Sequence, residues 1–390
     1  MLNAKFYLRE LFSKTFQEEA EKFLSCGGRF EVLGNHTDHN HGLCIAATCS
    51  LSIYAALKKR EDNMVRLLSE GFGYSEIDLS KLDKDENEVG QPSALVRGIA
   101  RYLSDSGYKY KGFDIYLKSE VPPGAGVSSS AAFELLLAQS FNVLFNNSEI
   151  PLMTLCKAGQ YAERDYYGKM CGLLDQIGVA YGGLIYIDFQ DIANPIVEPL
   201  KMNFDNYQFI IVNSGGSHAG LDHLYKEIPD NMFEVAEVFD KHYLRDVEYE
   251  LFQEKSEDVI AKCGLPSYYR AIHFFEENIR VKAASEAIKK NDVAALIYMM
   301  NESRVSSTKL LKNMYVDKVK GSPLEACELI LKASNNKAGV KINGGGFAGS
   351  VIALVPKDEI KNVTDACIEK YGKENVHLVD VRYDKPSEIE

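Results

Sequence analysis

Within seven residues, Asn35, His36, Asp38, His39 and His41 place five short polar side chains in one turn. A cluster so dense in donors and acceptors can converge on a polyhydroxylated ligand, and sugars are recognised by such clusters. Three histidines and an aspartate are also competent metal ligands. No His pair stands at helical i,i+4 spacing, however, and no cysteine is placed to complete a zinc site. A solvated turn is the third reading.

A second concentration of chemistry runs from Val121 to Ala132 as VPPGAGVSSSAA. Its glycines let backbone amides approach a ligand closely, and a helix that follows such a loop begins with free N–H groups and a positive dipole end. That is an anion site. The three serines add hydroxyls that can donate to phosphate oxygens or ligate Mg²⁺, a hard cation that prefers oxygen. The loop is not a Walker A, because no Gly-Lys-Ser/Thr follows. A plain helix N-cap behind a Pro-Pro-Gly turn accounts for the same residues. A third loop, Lys341–Ser350 (KINGGGFAGS), lies between two apolar runs and reads as a glycine-bearing hairpin turn.

These loops need elements to carry them. Phe113, Ile115 and Leu117 alternate as in a strand before the serine loop, and Phe133–Phe145 after it has few breakers and reads as a helix. Leu43–Leu57 reads as a buried strand, Leu184–Phe189 and Phe209–Val212 as strands, and Thr154–Tyr167, Phe233–Tyr249 and Tyr268–Ala287 as helices. Asn194–Asn206, with Pro195 and Pro199, is the candidate boundary between two halves, residues 1–200 and 201–390.

Composition limits the partners. With 390 residues, 46% hydrophobic and 26% charged, the chain has material for two or three packed units. A net charge of −12 without any Lys/Arg block argues against nucleic acid. No window approaches the apolar length of a membrane span, and MLNAKFYLRELFSK carries charges where a signal peptide needs its apolar core. Eight cysteines without a CxxC pair suit reduced thiols, so the expected location is cytoplasmic. The oligomeric state stays open, a monomer being compatible with all of this.

Taken in order, the three loops resemble those of the GHMP kinases, most closely the galactokinase branch. That family's first motif reads approximately GRVNLIGEHTDYN, and Gly28–Asn40 reads GRFEVLGNHTDHN, with seven of thirteen positions identical. PxGxGLSSSAA stands here as PPGAGVSSSAA, and GAGFGGC as GGGFAGS. CGLLDQIGVAYGG at Cys171–Gly183 resembles the family's CGIMDQ segment, and HFFEENIRV at His273–Val281 is similar to a stretch in its C-terminal half.

The resemblance implies an α+β fold of two domains, mixed and antiparallel sheets flanked by helices, with the active site between the domains. It implies transfer of the γ-phosphoryl of ATP to the C1 hydroxyl of galactose. By position, Asp175 matches the catalytic aspartate and Arg29 its partner arginine. Ser130 and Glu163 match Mg²⁺ ligands, and Gly124, Gly126, Ser128, Ser129 and Ser130 the phosphate cradle. Asn35, His36, Asp38, Gly172 and Tyr225 match sugar-contact positions. ATP and Mg²⁺ are thus the expected cofactors, and a small sugar the expected substrate.

Asn35 departs from the family's glutamate, and His39 and His41 from its tyrosine and glycine. An amide offers donors as well as an acceptor and carries no charge, so a related sugar such as N-acetylgalactosamine, galacturonate or arabinose is the alternative substrate. Mevalonate-type relatives lack the GxHTDxN loop. A catalytically silent sugar sensor could dispense with the serine loop or the aspartate, yet Ser128–Ala132 and Asp175 are both present.

Overall fold

Strands β1 (Lys22–Leu33) and β2 (Leu43–Lys59) pair antiparallel along nearly their whole length, and nearly every residue of β1 is buried. A strand covered on both faces is largely apolar, as KFLSCGGRFEVL is apart from Lys22 at its start, Ser25, Arg29 and Glu31. The ladder shifts register between Gly27 and Arg29 and again between Glu31 and Leu33. Such irregularities re-aim side chains locally, and here they flank the two buried charges of the strand.

Around this pair β3 (Met64–Ser69), β4 (Gly73–Asp78), β5 (Phe113–Ser119), β6 (Leu184–Asp188) and β7 (Ile196–Leu200) complete most of a mixed sheet. Its order is β12-β1-β2-β5-β3-β4, with β6 on β2 and β7 on β6, where β12 is Ser387–Glu388. Only β3 and β5 run parallel among the described pairs. The helix Ser129–Phe145 is apolar on all sides and buried for most of its length, lying on β1 and β2 beneath the helices Pro92–Asp105, Leu152–Tyr161 and Leu174–Ala180.

Between Leu200 and Tyr207 the chain leaves that sheet and builds a second, antiparallel one from β8 (Tyr207–Asn213), β9 (Gly339–Asn343), β10 (Ser350–Pro356) and β11 (Val376–Val379) in the order β11-β8-β10-β9. Helices Val293–Ser306, Pro323–Ala333 and Ile360–Tyr371 pack on it. The last residues return to the first sheet: Val381 bridges Cys49, and β12 pairs β1 at Leu24 and Ser25. This computed structural model describes residues 2–71, 73–121, 126–216, 220–316 and 321–389.

Two helices differ from the sequence expectation. The helix expected over Phe233–Tyr249 runs over Asp222–Glu237 instead, with Pro229 inside it. A proline mid-helix removes a donor, so this helix owes its continuity to tertiary packing. Beyond Glu237, Asp240 takes φ 56° and the segment turns through Leu244–Asp246. The stretch Thr154–Tyr167 is helical, but its last turn, Ala162–Tyr167, widens to π-helical pitch.

The two sheets are tied by a buried ion pair. Lys341 on β9 is fully buried and its Nζ lies 2.7 Å from Glu31 Oε1 on β1. Removing one partner strands the other charge in the interior. Lys341→Ala should therefore lower the unfolding free energy by about 3–5 kcal/mol. Replacing both, as Lys341→Met with Glu31→Leu, should recover most of that in urea denaturation; equal losses in single and double variants would contradict a buried pair.

Candidate active site

The serine loop enters the helix Ser129–Phe145 through Ser128, whose φ of 52° is left-handed. In that conformation its side chain does not cap the helix; its hydroxyl donates to Asp175 Oδ2 at 2.6 Å. Asp175 stands in the first turn of Leu174–Ala180 and receives Arg29 on its other oxygen, from Nε at 2.8 Å and a terminal nitrogen at 2.7 Å. Arg29 also donates to the Gly126 carbonyl at 2.9 Å. Burial alone would raise the Asp175 carboxyl. The guanidinium and the serine hydroxyl overcome it, so the group is held below the usual carboxylate range. Residues 47 and 146 apart from Asp175 in sequence thus converge on it.

The third loop is a hairpin between β9 and β10, and it also closes over both other loops. Asn343 donates to the Gly126 carbonyl at 2.9 Å while its Oδ1 accepts the Glu31 amide at 2.9 Å. The Gly345 carbonyl meets His36 Nε2 at 2.8 Å, and the Gly346 carbonyl accepts the Tyr225 hydroxyl at 2.5 Å. A side chain at Gly126, where φ is 72°, would collide with Ser350. The glycines therefore serve close approach between loops as well as turning.

In the first loop Asp38 is half-buried, and a Cβ at Gly172 would run into its carboxylate, so these two positions face one another. Burial, then the charges of Glu31 and Asp175, push the Asp38 carboxyl up to about 6. The three histidines do not gather around one point. His36 and His39 approach at 3.4 Å, whereas His41 stacks on Tyr243 with ring centres 3.7 Å apart.

Asn35 departs from its expected place among groups that reach a ligand. It is buried, and both amide hydrogens are spent inside the protein, on Glu31 Oε1 at 3.2 Å and the Gly344 carbonyl at 2.7 Å. Its oxygen accepts Asn313 Nδ2 at 2.8 Å. Burial of an amide demands such partners, and they hold the first loop against the third.

Ser129 and Ser130 begin the long buried helix, and Glu134 follows Ser130 one turn on, along the same face. Glu163 is buried in the π-helical turn, with Lys169 Nζ 2.6 Å from one oxygen and Gln176 Nε2 3.2 Å from the other. Gln176 also donates to Glu134 at 2.8 Å. The second oxygen of Glu134 is buried without a hydrogen-bond partner, and burial together with the Glu163 charge pushes that carboxyl well up. Among the described residues no group of three or more His, Cys, Asp or Glu side chains gathers as a metal cluster; the oxygen chemistry of Ser130 and Glu163 is of the kind a hard cation such as Mg²⁺ prefers. Gly124 lies outside the described residues.

Sequence reasoning missed Asn313, Asn343 and Gln176, amides whose partners are far away in the chain, and Lys169 beside Glu163. Gln176 alone had a signal, its place next to Asp175 in CGLLDQ.

Comparison with known proteins converges on one family. The description "GHMP kinases N terminal domain" matches residues 94–183, and "Galactokinase galactose-binding signature" matches residues 10–59. The chain is 30% identical over 374 residues to the galactokinase of Lactococcus lactis subsp. lactis (strain IL1403), covering 93% of this chain and 90% of that protein. It superposes on the crystal structure of Lactococcus lactis galactokinase complexed with galactose with a TM-score of 0.85 at 26% identity, covering 99% of this chain and all of the other. The Methanococcus jannaschii mevalonate kinase shares the fold, with a TM-score of 0.65 at 16% identity over 95% of this chain.

The raised Asp38 carboxyl has a measurable consequence. Its folded form holds a proton that the unfolded chain has already released, so its contribution to stability is full below about pH 3.8 and is lost as pH rises through about 6. Asp38→Asn removes that loss. The melting temperature of the variant minus that of the native protein should therefore increase between pH 4 and pH 7; a flat difference would mean that Asp38 is ionised in the fold.

Proposed function

The chain belongs to the galactokinases, a branch of the GHMP kinases, and from that membership we propose that it transfers the γ-phosphoryl group of ATP to the C1 hydroxyl of galactose, with Asp175 as the carboxylate that meets the attacking hydroxyl. The observation that carries the residue assignment is the meeting of Arg29 and Ser128 on Asp175. It puts the serine loop, an anion-binding element, and the carboxylate side by side. Galactose lies against the first loop, touched by His36, Asp38, Gly172 and Tyr225. Asn35 holds that loop from behind.

The chemistry follows from the charges. A carboxylate held below its usual range is ionised at neutral pH and is a weak base. It accepts a hydrogen bond from the C1 hydroxyl and orients the oxygen toward the γ-phosphorus. The new P–O bond forms as the bond to the β-phosphate oxygen breaks, and the hydroxyl proton leaves to Asp175 and from there to water. Phosphoryl transfer through a loose transition state asks little of a base and much of positioning and charge. Arg29 supplies positive charge beside the transferring group, and the backbone amides of Gly126, Ser128 and Ser129 together with the Ser129 hydroxyl receive its oxygens. Ser130 and Glu163 are the residues that would hold Mg²⁺, which when bound offsets the phosphate charge. Glu163 would give up its Lys169 contact to do so.

Three measurements test the reading. Purified protein should phosphorylate galactose with a higher kcat/KM than N-acetylgalactosamine, galacturonate or glucose, with ATP as donor; a preference for another of the four would retain the sugar kinase and reject galactose. Asp175→Asn keeps the shape of the carboxylate but neither its charge nor its proton affinity. It should lose more than ~10²-fold in kcat with little change in galactose Kd. Near-native kcat would remove Asp175 from the chemistry. For the metal, Glu163→Ala should raise the Mg²⁺ concentration needed for half-maximal rate.

A further inference from the structure

The run His273–Val281 has no part in the chemistry above, yet it lies against the backbone of the first loop. It belongs to the helical segment Ser256–Lys289, which is broken at Gly264, and three of its side chains, His273, Glu277 and Asn278, reach the turn at Gly34–Leu43. Glu277, fully buried, accepts the Gly34 amide at 3.0 Å and the Asn35 amide at 3.4 Å on one oxygen. His273, one turn earlier and fully buried, donates Nε2–H to the Asn35 carbonyl at 2.9 Å. Asn278 accepts the Leu43 amide at 2.7 Å at the far end of the turn. Each side chain is itself fixed: Ser303 and Arg280 donate to Glu277 at 2.7 Å each, and Ser306 pairs with His273 Nδ1 at 2.8 Å.

The peptide group so gripped is the one that leads into His36, whose φ of 56° is left-handed. A non-glycine residue there costs energy and persists only where its surroundings over-determine it. Both backbone groups of Asn35 are bound by one helix, so the loop cannot relax His36 to an extended conformation without breaking them.

We propose that Glu277 and His273 are positioning residues for sugar recognition, holding the first loop so that His36 and Asp38 meet the hydroxyls. This rests on the galactose reading of the same site. Among the described residues neither side chain bonds to the serine loop, so their effect belongs to the sugar.

The test compares His273→Leu with His273→Gln. Leucine removes the donor to Asn35, whereas glutamine carries an amide N–H near the place of Nε2. His273→Leu should raise KM for galactose by about tenfold or more while KM for ATP and kcat at saturating sugar stay within about twofold, and His273→Gln should recover most of the loss. An unchanged galactose KM, parallel rises in both KM values, or no advantage of glutamine over leucine would each overturn the proposal. Should the leucine variant fail to fold, Ser303→Ala, which only trims a hydroxyl from Glu277, should weaken calorimetric galactose binding but not AMP-PNP binding; unchanged galactose binding rejects the proposal. A native protein that prefers another of the four sugars rejects the galactose reading instead, and the same comparison is then read with that sugar.

Discussion

A charge buried in a sheet must be answered where it stands, and the Glu31–Lys341 pair answers one from each sheet. Lys341 also donates to the Ile342 carbonyl at 2.6 Å, so its ammonium is held by groups on both strands. From Glu31 the connection runs outward: its carboxylate accepts Asn35, its amide donates to Asn343, and Asn343 reaches Gly126. All three loops are thereby fixed relative to one ion pair. Remove it and the loops lose their common reference even if each keeps its local shape.

Three carboxyl groups in this region are driven in different directions by their neighbours. Asp175, beside a guanidinium and a hydroxyl, stays charged despite burial, whereas Asp38 and Glu134 are raised because burial and nearby negative charges act together. A site that must accept a hydroxyl proton bond at one point and bind neutral hydroxyls or share charge at others gains from that division. Arg29 and the Ser128 hydroxyl both act on Asp175, whereas Asp38 faces only burial and negative neighbours among its largest influences.

Much of this was legible in the sequence because the local signals were strong. The strand-loop-helix order around Ser128 and the length of Leu43–Lys59 follow from patterning, and the helix Ser129–Phe145 shows few breakers. What patterning could not show is direction. Asn35 sits in a polar cluster and reads as a ligand contact, but its partners Glu31, Gly344 and Asn313 come from both ends of the chain, and only their arrival turns its amide inward. Asn343 is similarly silent in sequence. The helix expected over Phe233–Tyr249 stands at Asp222–Glu237, where packing on the segment Ser256–Lys289 carries it through Pro229.

The return of the chain end to the first sheet has a consequence for how the molecule is made. β12 and the ion pair of Lys22 with Glu388 join positions 366 residues apart. During synthesis at about 5–20 residues per second, β1 leaves the ribosome roughly 20–70 s before its edge partner exists. Throughout that interval one side of β1 presents unpaired backbone groups near Leu24 and Ser25, a template on which another nascent strand can pair. This edge of the sheet can close only after β12 has been made, and the non-local nature of that contact makes it slow.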